Sequence, residues 1–268
     1  MNIFINGKQY KAKKNVTLAD VRAKYCPDKD VAILNSVLSL NGSKKVVEGD
    51  RLYFFRKEDI PTDEELEVLL FSRQPFAITE KLKKACIGIA GAGGLGTVVA
   101  ESLSRAGIGK IVIADFDLVE PSNLNRQHFF ISQLGMAKVY ALADNIKQFN
   151  PFTKVVQVRE KVTASNCGRI FAGCSVVAEC FDDPANKAEI VFGLRKSLPQ
   201  CYVVAASGLA GIGCGNEIKT RKISDKFFVV GDMKSEVADG SGLFASRVGI
   251  AASMQTHIII RLITGNEK

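Results

Sequence analysis

The chain has 268 residues, 36 of them lysine or arginine against 28 acids, for a formal charge of +8, and 47% of it is hydrophobic. That length holds one sizeable core with room for a small extra domain, and no internal repeat or low-complexity tract marks a fibrous or disordered chain. No apolar run approaches the roughly 18 residues that span a bilayer, MNIFINGKQYKAKK lacks a signal peptide's order of charge, apolar run and cleavage site, and no basic run is interleaved with aromatics; the expectation is a cytoplasmic protein that binds neither membrane nor nucleic acid.

Residues 1–57 are expected to form a small domain of their own. Ile3 and Ile5 alternate with polar neighbours, Asn6-Gly7 is a hairpin signal, and a second short strand follows near Gln9 to Lys11. Thr17 precedes Leu18-Ala19-Asp20-Val21 as a helix cap would, and Val31 to Leu34 and Leu52 to Phe55 read as strands. The order strand, strand, helix, strand, strand suits a β-grasp fold. Residues 58–84 read as a linker and N-terminal helices: Ile60-Pro61-Thr62-Asp63 is a joint, Glu64 to Phe71 has helical spacing, and Ser72-Arg73-Gln74 follows.

From residue 85 to 268 the pattern predicts one α/β domain. Cys86 to Ala90 is an apolar run that turns through Gly91, Gly93, Gly94 and Gly96 into a helix from about Leu95 to Ala106, and a second strand, Ile111 to Ala114, ends in Asp115. A helix is expected over Leu134 to Phe149, strands at Val155 to Val158, Ser175 to Cys180 and Tyr202 to Ala206, and helices at Ala164 to Phe171, Ala185 to Leu198 and Leu243 to Leu262. The segment Gly208 to Val230 is glycine-rich and strand-like. Such alternation gives a Rossmann-like, mostly parallel sheet with helices on both faces.

The glycine turn between strand and helix offers free N–H groups and the positive end of a helix to a phosphate. Alone it leaves a dinucleotide site and other nucleotide sites equally open. Asp115 suits a ribose in either case. The sequence DFDLVEPSNLNRQ then continues without a break, placing Asp117, Asn123, Asn125 and Arg126 in the loop at the carboxyl edge of the sheet, where open α/β sheets bind ligands. No Walker G-x-x-x-x-G-K-[ST] occurs, so amides and a guanidinium are the groups available for a triphosphate.

Residues 1–57, on the strength of MNIFINGK, TLADV, VAILN and EGDRLYFFRK, resemble the ThiS-type sulfur carriers. Carriers of that kind end in a Gly-Gly tail with a reactive carboxylate; here Arg56-Lys57-Glu58-Asp59 stands at that point, which implies a docking, dimer or folding role for the fused domain. GAGGLG, DFDLVEPSNLNRQ, GMAK, ECFDD and the closing GLFASRVGIAASMQTHIIIRLITG together resemble the adenylating enzymes ThiF and MoeB and the adenylation half of ubiquitin-activating enzymes, over Ser72 to Gly265.

The resemblance implies ATP and Mg2+ as cofactors, a homodimer, and a separate ThiS-like sulfur carrier as partner, in thiamine biosynthesis; activation of another ubiquitin-like carrier or small carboxylate, or a catalytically degenerate carrier-binding module, are the alternatives. It assigns Gly91, Gly93 and Gly94 to the nucleotide, Asp115 to the ribose with Asp117 beside it, and Ser122, Asn123, Leu124, Asn125 and Arg126 to the phosphate loop. Lys138 joins Arg126 in neutralising phosphate charge, Asp182 binds magnesium, and Arg73 reaches the γ-phosphate from the other subunit. The family more often has Asp-Asn where Asp182-Asp183 stands here, which leaves the second position without an assigned role, and a cap on the helix that follows is the lesser reading of Asp182.

The seven cysteines are scattered without a C-x-x-C pair, so structural zinc is not expected and buried, reduced thiols are. Some relatives use a cysteine in a later transfer step; Cys201 and Cys214 are the candidates, with burial the preferred reading for both. His128 and His257 have no carboxylate at a telling spacing and are read as structural.

Overall fold

The computed structural model describes residues 1–39, 41–238 and 240–266, and the chain divides into two compact units, Met1–Glu80 and Lys81–Lys268. The first begins with β1 (Asn2–Ile5), β2 (Lys8–Lys11), α1 (Leu18–Tyr25), β3 (Val31–Leu34), β4 (Val37–Leu38) and β5 (Arg51–Phe55). Its sheet runs in the order β2-β1-β5-β3-β4, with β1 and β5 parallel. Alternation puts Ile3 and Ile5 on the inner face, where they meet Leu18, Val21, Leu34, Leu52 and Phe54. The helix is closed by a reciprocal capping box between Thr17 and Asp20. Thr17→Ala would cost about 1 kcal/mol. The two-residue β4 is too short to leave a periodic signal. The helices α2 (Asp63–Leu70) and α3 (Phe76–Lys84) follow.

The second unit holds β6 (Cys86–Ala90), α4 (Gly94–Ala106), β7 (Lys110–Ala114), α5 (Lys138–Lys147), β8 (Lys154–Val158), α6 (Cys167–Ile170), β9 (Val176–Glu179), α7 (Pro184–Ser197), β10 (Tyr202–Ala206), β11 (Lys219–Ser224), β12 (Phe227–Gly231) and α8 (Ala245–Thr264). The sheet order is β11-β12-β10-β9-β6-β7-β8, parallel throughout except for the β11/β12 hairpin. Helices flank it: α6 and α7 bring Phe171, Ile190 and Leu194 against Val112, Val177 and Val203, while α4 and α8 pack on each other. From β6 the chain winds outward through β7 and β8, then returns to add β9 on the other side of β6. The carboxyl ends of β6 and β9 therefore flank a crevice at the switch point of the sheet.

Two helices are shorter than their spacing predicts. The segment expected to be helical from Leu134 begins its helix at Lys138, because residues 135–138 are drawn into backbone pairing with 117–119: Val119 N donates to Met136 O at 2.8 Å, Gly135 N to Val119 O at 2.9 Å and Lys138 N to Asp117 O at 3.0 Å. Tertiary pairing overrides local periodicity there. Likewise α6 starts at Cys167, since the Asn166 side chain accepts the Thr163 N–H at 2.7 Å and closes a turn first. Among the described residues no helix is long and apolar enough to cross a membrane.

Candidate nucleotide site

The carboxyl ends of β6, β7, β9 and β10 open on a cavity of about 460 Å³. Its floor is the turn from β6 into α4. Gly91 takes φ +98°, and a Cβ there would lie 3.1 Å from the Cys180 carbonyl oxygen; a Cβ on Gly96 would stand 1.9 Å from the Gly91 oxygen. Backbone thus lies where side chains would otherwise stand, and α4 has Gly93 as its N-cap with no side-chain cap, its first N–H groups left for a ligand.

Asp115, at the end of β7, ties this turn down. Its Oδ2 accepts the Ala92 N–H at 2.6 Å and its Oδ1 the Asp117 N–H at 2.8 Å. Burial pushes its carboxyl above the usual range, against the pull of those two bonds and of Lys138. Lys138 is itself buried and reaches Asp117 Oδ2 at 2.8 Å. The pairing of 135–138 with 117–119, which delays α5, is what delivers this ammonium to the cavity wall.

Arg126 also lines the wall. Its Nη1 donates to the Ser122 carbonyl and to Asn125 Oδ1, both at 3.0 Å, and among the described residues it has no carboxylate partner. Its charge is held in place without being neutralised. Asn123 is buried, its Oδ1 accepting the Glu120 N–H at 3.0 Å in the short turn at Pro121–Asn123. Ser122, Asn123, Leu124 and Asn125 stand outside the wall; from this loop Arg126 and Gln127 reach it.

On the opposite side stands Asp182, exposed and on the wall, while the cap of α7 is Asp183, whose Oδ2 accepts the Asn186 N–H at 3.0 Å. Two ion pairs back this side. Lys187 Nζ meets both oxygens of the fully buried Glu179 at 3.2 Å. Arg247, from the first turn of α8, meets Asp232 Oδ2 at 2.5 Å. Burial pushes the Asp232 carboxyl up, but bonds from Ser235, Lys234 and Arg247 outweigh it and hold it at about 2. These pairs, and Gln127, carried no signal in the sequence beyond charge and position.

Arg73 belongs to the other unit, where it is exposed between α2 and α3. Among the described residues no group of three or more His, Cys, Asp or Glu could hold a metal by itself. A magnesium ion would take most of its oxygens from phosphate and water, as that ion usually does, and a single carboxylate such as Asp182 fits that requirement.

One expectation is corrected. Cys214 is exposed: Arg247 Nη1 holds its carbonyl at 3.2 Å in a loop that leaves the thiol outward. His128 has a carboxylate partner, Glu101 of α4, at 2.9 Å, brought close by folding and not by sequence spacing. Cys201 is buried, and burial pushes its thiol up to about 11.

A glycine turn, a strand-end acid and two cations at the switch point of a parallel sheet form a candidate nucleotide site in an α/β unit, here preceded by a β-grasp domain. The chain belongs to the ThiF family, whose model matches residues 66–268, and residues 1–58 match ThiS-like ubiquitin. It is 37% identical over 134 residues to "Adenylyltransferase and sulfurtransferase UBA4" of Saccharomyces cerevisiae, covering 50% of this chain and 30% of that protein. With the UBA4 of Lodderomyces elongisporus it shares 32% over 198 residues, 69% of this chain and 42% of that one. The chain thus spans less than half the length of the curated relatives it matches. In fold it is similar to the E. coli tRNA N6-threonylcarbamoyladenosine dehydratase TcdA in complex with ATP, at TM-score 0.68 and 22% identity, covering 78% of this chain and 98% of that one. E. coli MccB gives 0.58 at 19%, covering 77% and 73%.

Proposed function

We propose that the chain is an ATP-dependent adenylyltransferase that activates the C-terminal glycine carboxylate of a ThiS-like sulfur carrier, in thiamine biosynthesis. The observation that carries this reading is the cavity wall, which gathers Gly93, Gly94, Asp115, Arg126, Lys138 and Asp182 at one sheet edge. Asp115 serves the ribose. Arg126 and Lys138 face the phosphates, Arg126 with its charge uncompensated. The carrier carboxylate attacks the α-phosphorus, a carboxyl-phosphate bond forms, and the bond to pyrophosphate breaks. No enzyme nucleophile is needed: the chain's contribution is positioning and stabilisation of charge on the leaving pyrophosphate. Magnesium, held by Asp182, would add neutralising charge there.

Support for a carrier substrate comes from the ThiS-like domain in the same chain and from the UBA4 relatives, named adenylyltransferases. The fused domain has no Gly-Gly end and serves docking or assembly. The active form is a homodimer, with Arg73 of one copy completing the phosphate site of the other; two inactive variants, Arg73→Ala and Asp182→Ala, should regain part of the activity when mixed. The test of function is ATP–pyrophosphate exchange. It should appear with a ThiS-like carrier bearing an intact Gly-Gly end and vanish when that tail is removed. Exchange driven instead by a small carboxylate would move the substrate to that class, and ATP binding without exchange would leave a carrier-binding module.

A further inference from the structure

Lys187 stands one turn into α7, on the cavity wall, with 19% of its side chain exposed. Its ammonium has three protons and three acceptors: Glu179 Oε1 and Oε2 at 3.2 Å and the Ala206 carbonyl at 2.8 Å. Glu179 ends β9 with no exposed surface. Its Oε1 also accepts the Phe181 N–H at 2.7 Å, and its backbone carbonyl is strapped to that of Val204 by Gln255 of α8, at 3.1 and 3.0 Å. The Phe181 ring in turn lies 3.2 Å from where a Gly91 Cβ would be. One carboxylate therefore holds the turn that carries Asp182 and presses it on the phosphate-binding glycines.

Burial pushes the Glu179 carboxyl above its usual range and the Lys187 ammonium pulls it back; as the carboxylate partner of that ammonium it stands behind a cavity whose other features suit a polyanion. In a low-dielectric wall such a charge repels phosphate strongly unless it is cancelled at short range. Among the described residues Lys187 is the cation that meets it, and it does so without offering a free proton to the ligand.

We propose that Lys187 is a positioning residue for polyphosphate binding: it masks the Glu179 carboxylate from the anion and, through Glu179, fixes the 179–182 turn against the glycine loop. The proposal rests on the nucleotide reading of this cavity. Its signature is dependence on ligand charge, which a purely structural strut does not have.

Calorimetric titration of the 268-residue chain with ATP, AMP and adenosine, in EDTA to exclude metal, measures it directly. Lys187→Met should weaken ATP at least tenfold, AMP about threefold and adenosine not at all. Glu179→Gln keeps an acceptor for Phe181 and should tighten ATP several-fold, the opposite sign; Glu179→Gln/Lys187→Met together should bind ATP within about threefold of the parent. If the lone Lys187→Met chain fails to fold, the sign of the Glu179→Gln effect and the double variant still decide. Equal weakening by both single variants, or equal loss for adenosine and ATP, overturns the proposal. A parent chain that binds no ATP overturns the nucleotide reading, and the proposal with it.

Discussion

The two sides of the cavity use the same residue types for different ends. On the β7 side Arg126 is gripped by two neutral oxygens and Lys138 by Asp117, a carboxylate whose side chain is 46% exposed. Charge there is oriented and still available. On the β9/β12 side Lys187 and Arg247 face Glu179 and Asp232, which are 0% and 6% exposed. Charge there is spent inside the protein. The difference teaches where a polyphosphate gains and where the fold gains: cations with neutral or solvated partners can stabilise a ligand's charge, and cations locked to buried acids hold loops.

The largest expected effect breaks the ligand side alone. Arg126→Ala should lower the rate of carrier-dependent ATP–pyrophosphate exchange about a thousandfold, the scale of losing one preorganised donor to developing charge. The melting temperature should stay within about two degrees, because the guanidinium's partners, Ser122 O and the Asn125 amide, are neutral and can turn to water. A large loss of stability with exchange retained would erase the distinction between the two sides.

On the other side the order reverses. Arg247 Nη1 also holds the Gly213 and Cys214 carbonyls, so this cation joins the 213–214 loop to the 232–235 loop through Asp232. Arg247→Met strands the Asp232 charge and should cost about 3 kcal/mol, several degrees in melting temperature. Adding Asp232→Asn should return part of that. A denaturant titration of the single and double variants measures both.

How much of this was legible follows from the kind of signal each group leaves. The glycine turn, Asp115 and DFDLVEPSNLNRQ lie within one stretch of chain, so spacing alone placed Arg126 and Asp115 at one sheet edge. The sheet itself was legible from apolar runs such as Cys86 to Ala90. The start of α5 was not, because Met136 and Lys138 answer to backbone pairing with Val119 and Asp117. Nor were the pairs Glu179–Lys187 and Asp232–Arg247, whose partners are united by burial at the ends of separate elements and have no periodic mark. Cys214 is exposed in a loop whose carbonyl there is bonded by Arg247, 33 residues on, a pairing without a sequence mark.

A subtler substitution sharpens the ligand side further. Asp115→Asn keeps one acceptor for the Ala92 or Asp117 N–H but turns an amide toward the other, loosening the glycine turn and removing the charge proposed to meet the ribose. ATP affinity should fall about tenfold, some 1.4 kcal/mol, and the preference for ATP over its 2′-deoxy analogue should shrink with it. An unchanged preference would take the ribose away from Asp115.

The smallest effect lies on the same side, at the exposed pair His128–Glu101, where α4 meets the end of the 122–127 loop. The hydrogen bond that His128 Nδ1 donates to Glu101 raises the histidine pKa, against partial desolvation. A histidine raised in the folded state contributes stability that is fully present below its unfolded value, near 6.5, and lost as pH rises through the folded value. With 49% of the His128 side chain exposed, solvent screens the pair and the contribution should be on the order of 0.5 kcal/mol. Glu101→Gln should therefore melt about a degree or two below the parent at pH 5.5 and together with it at pH 8.5. A gap that persists at pH 8.5 would mean that the pair packs the loop onto α4 by contact and not by charge, and would move this corner to the structural side of the cavity.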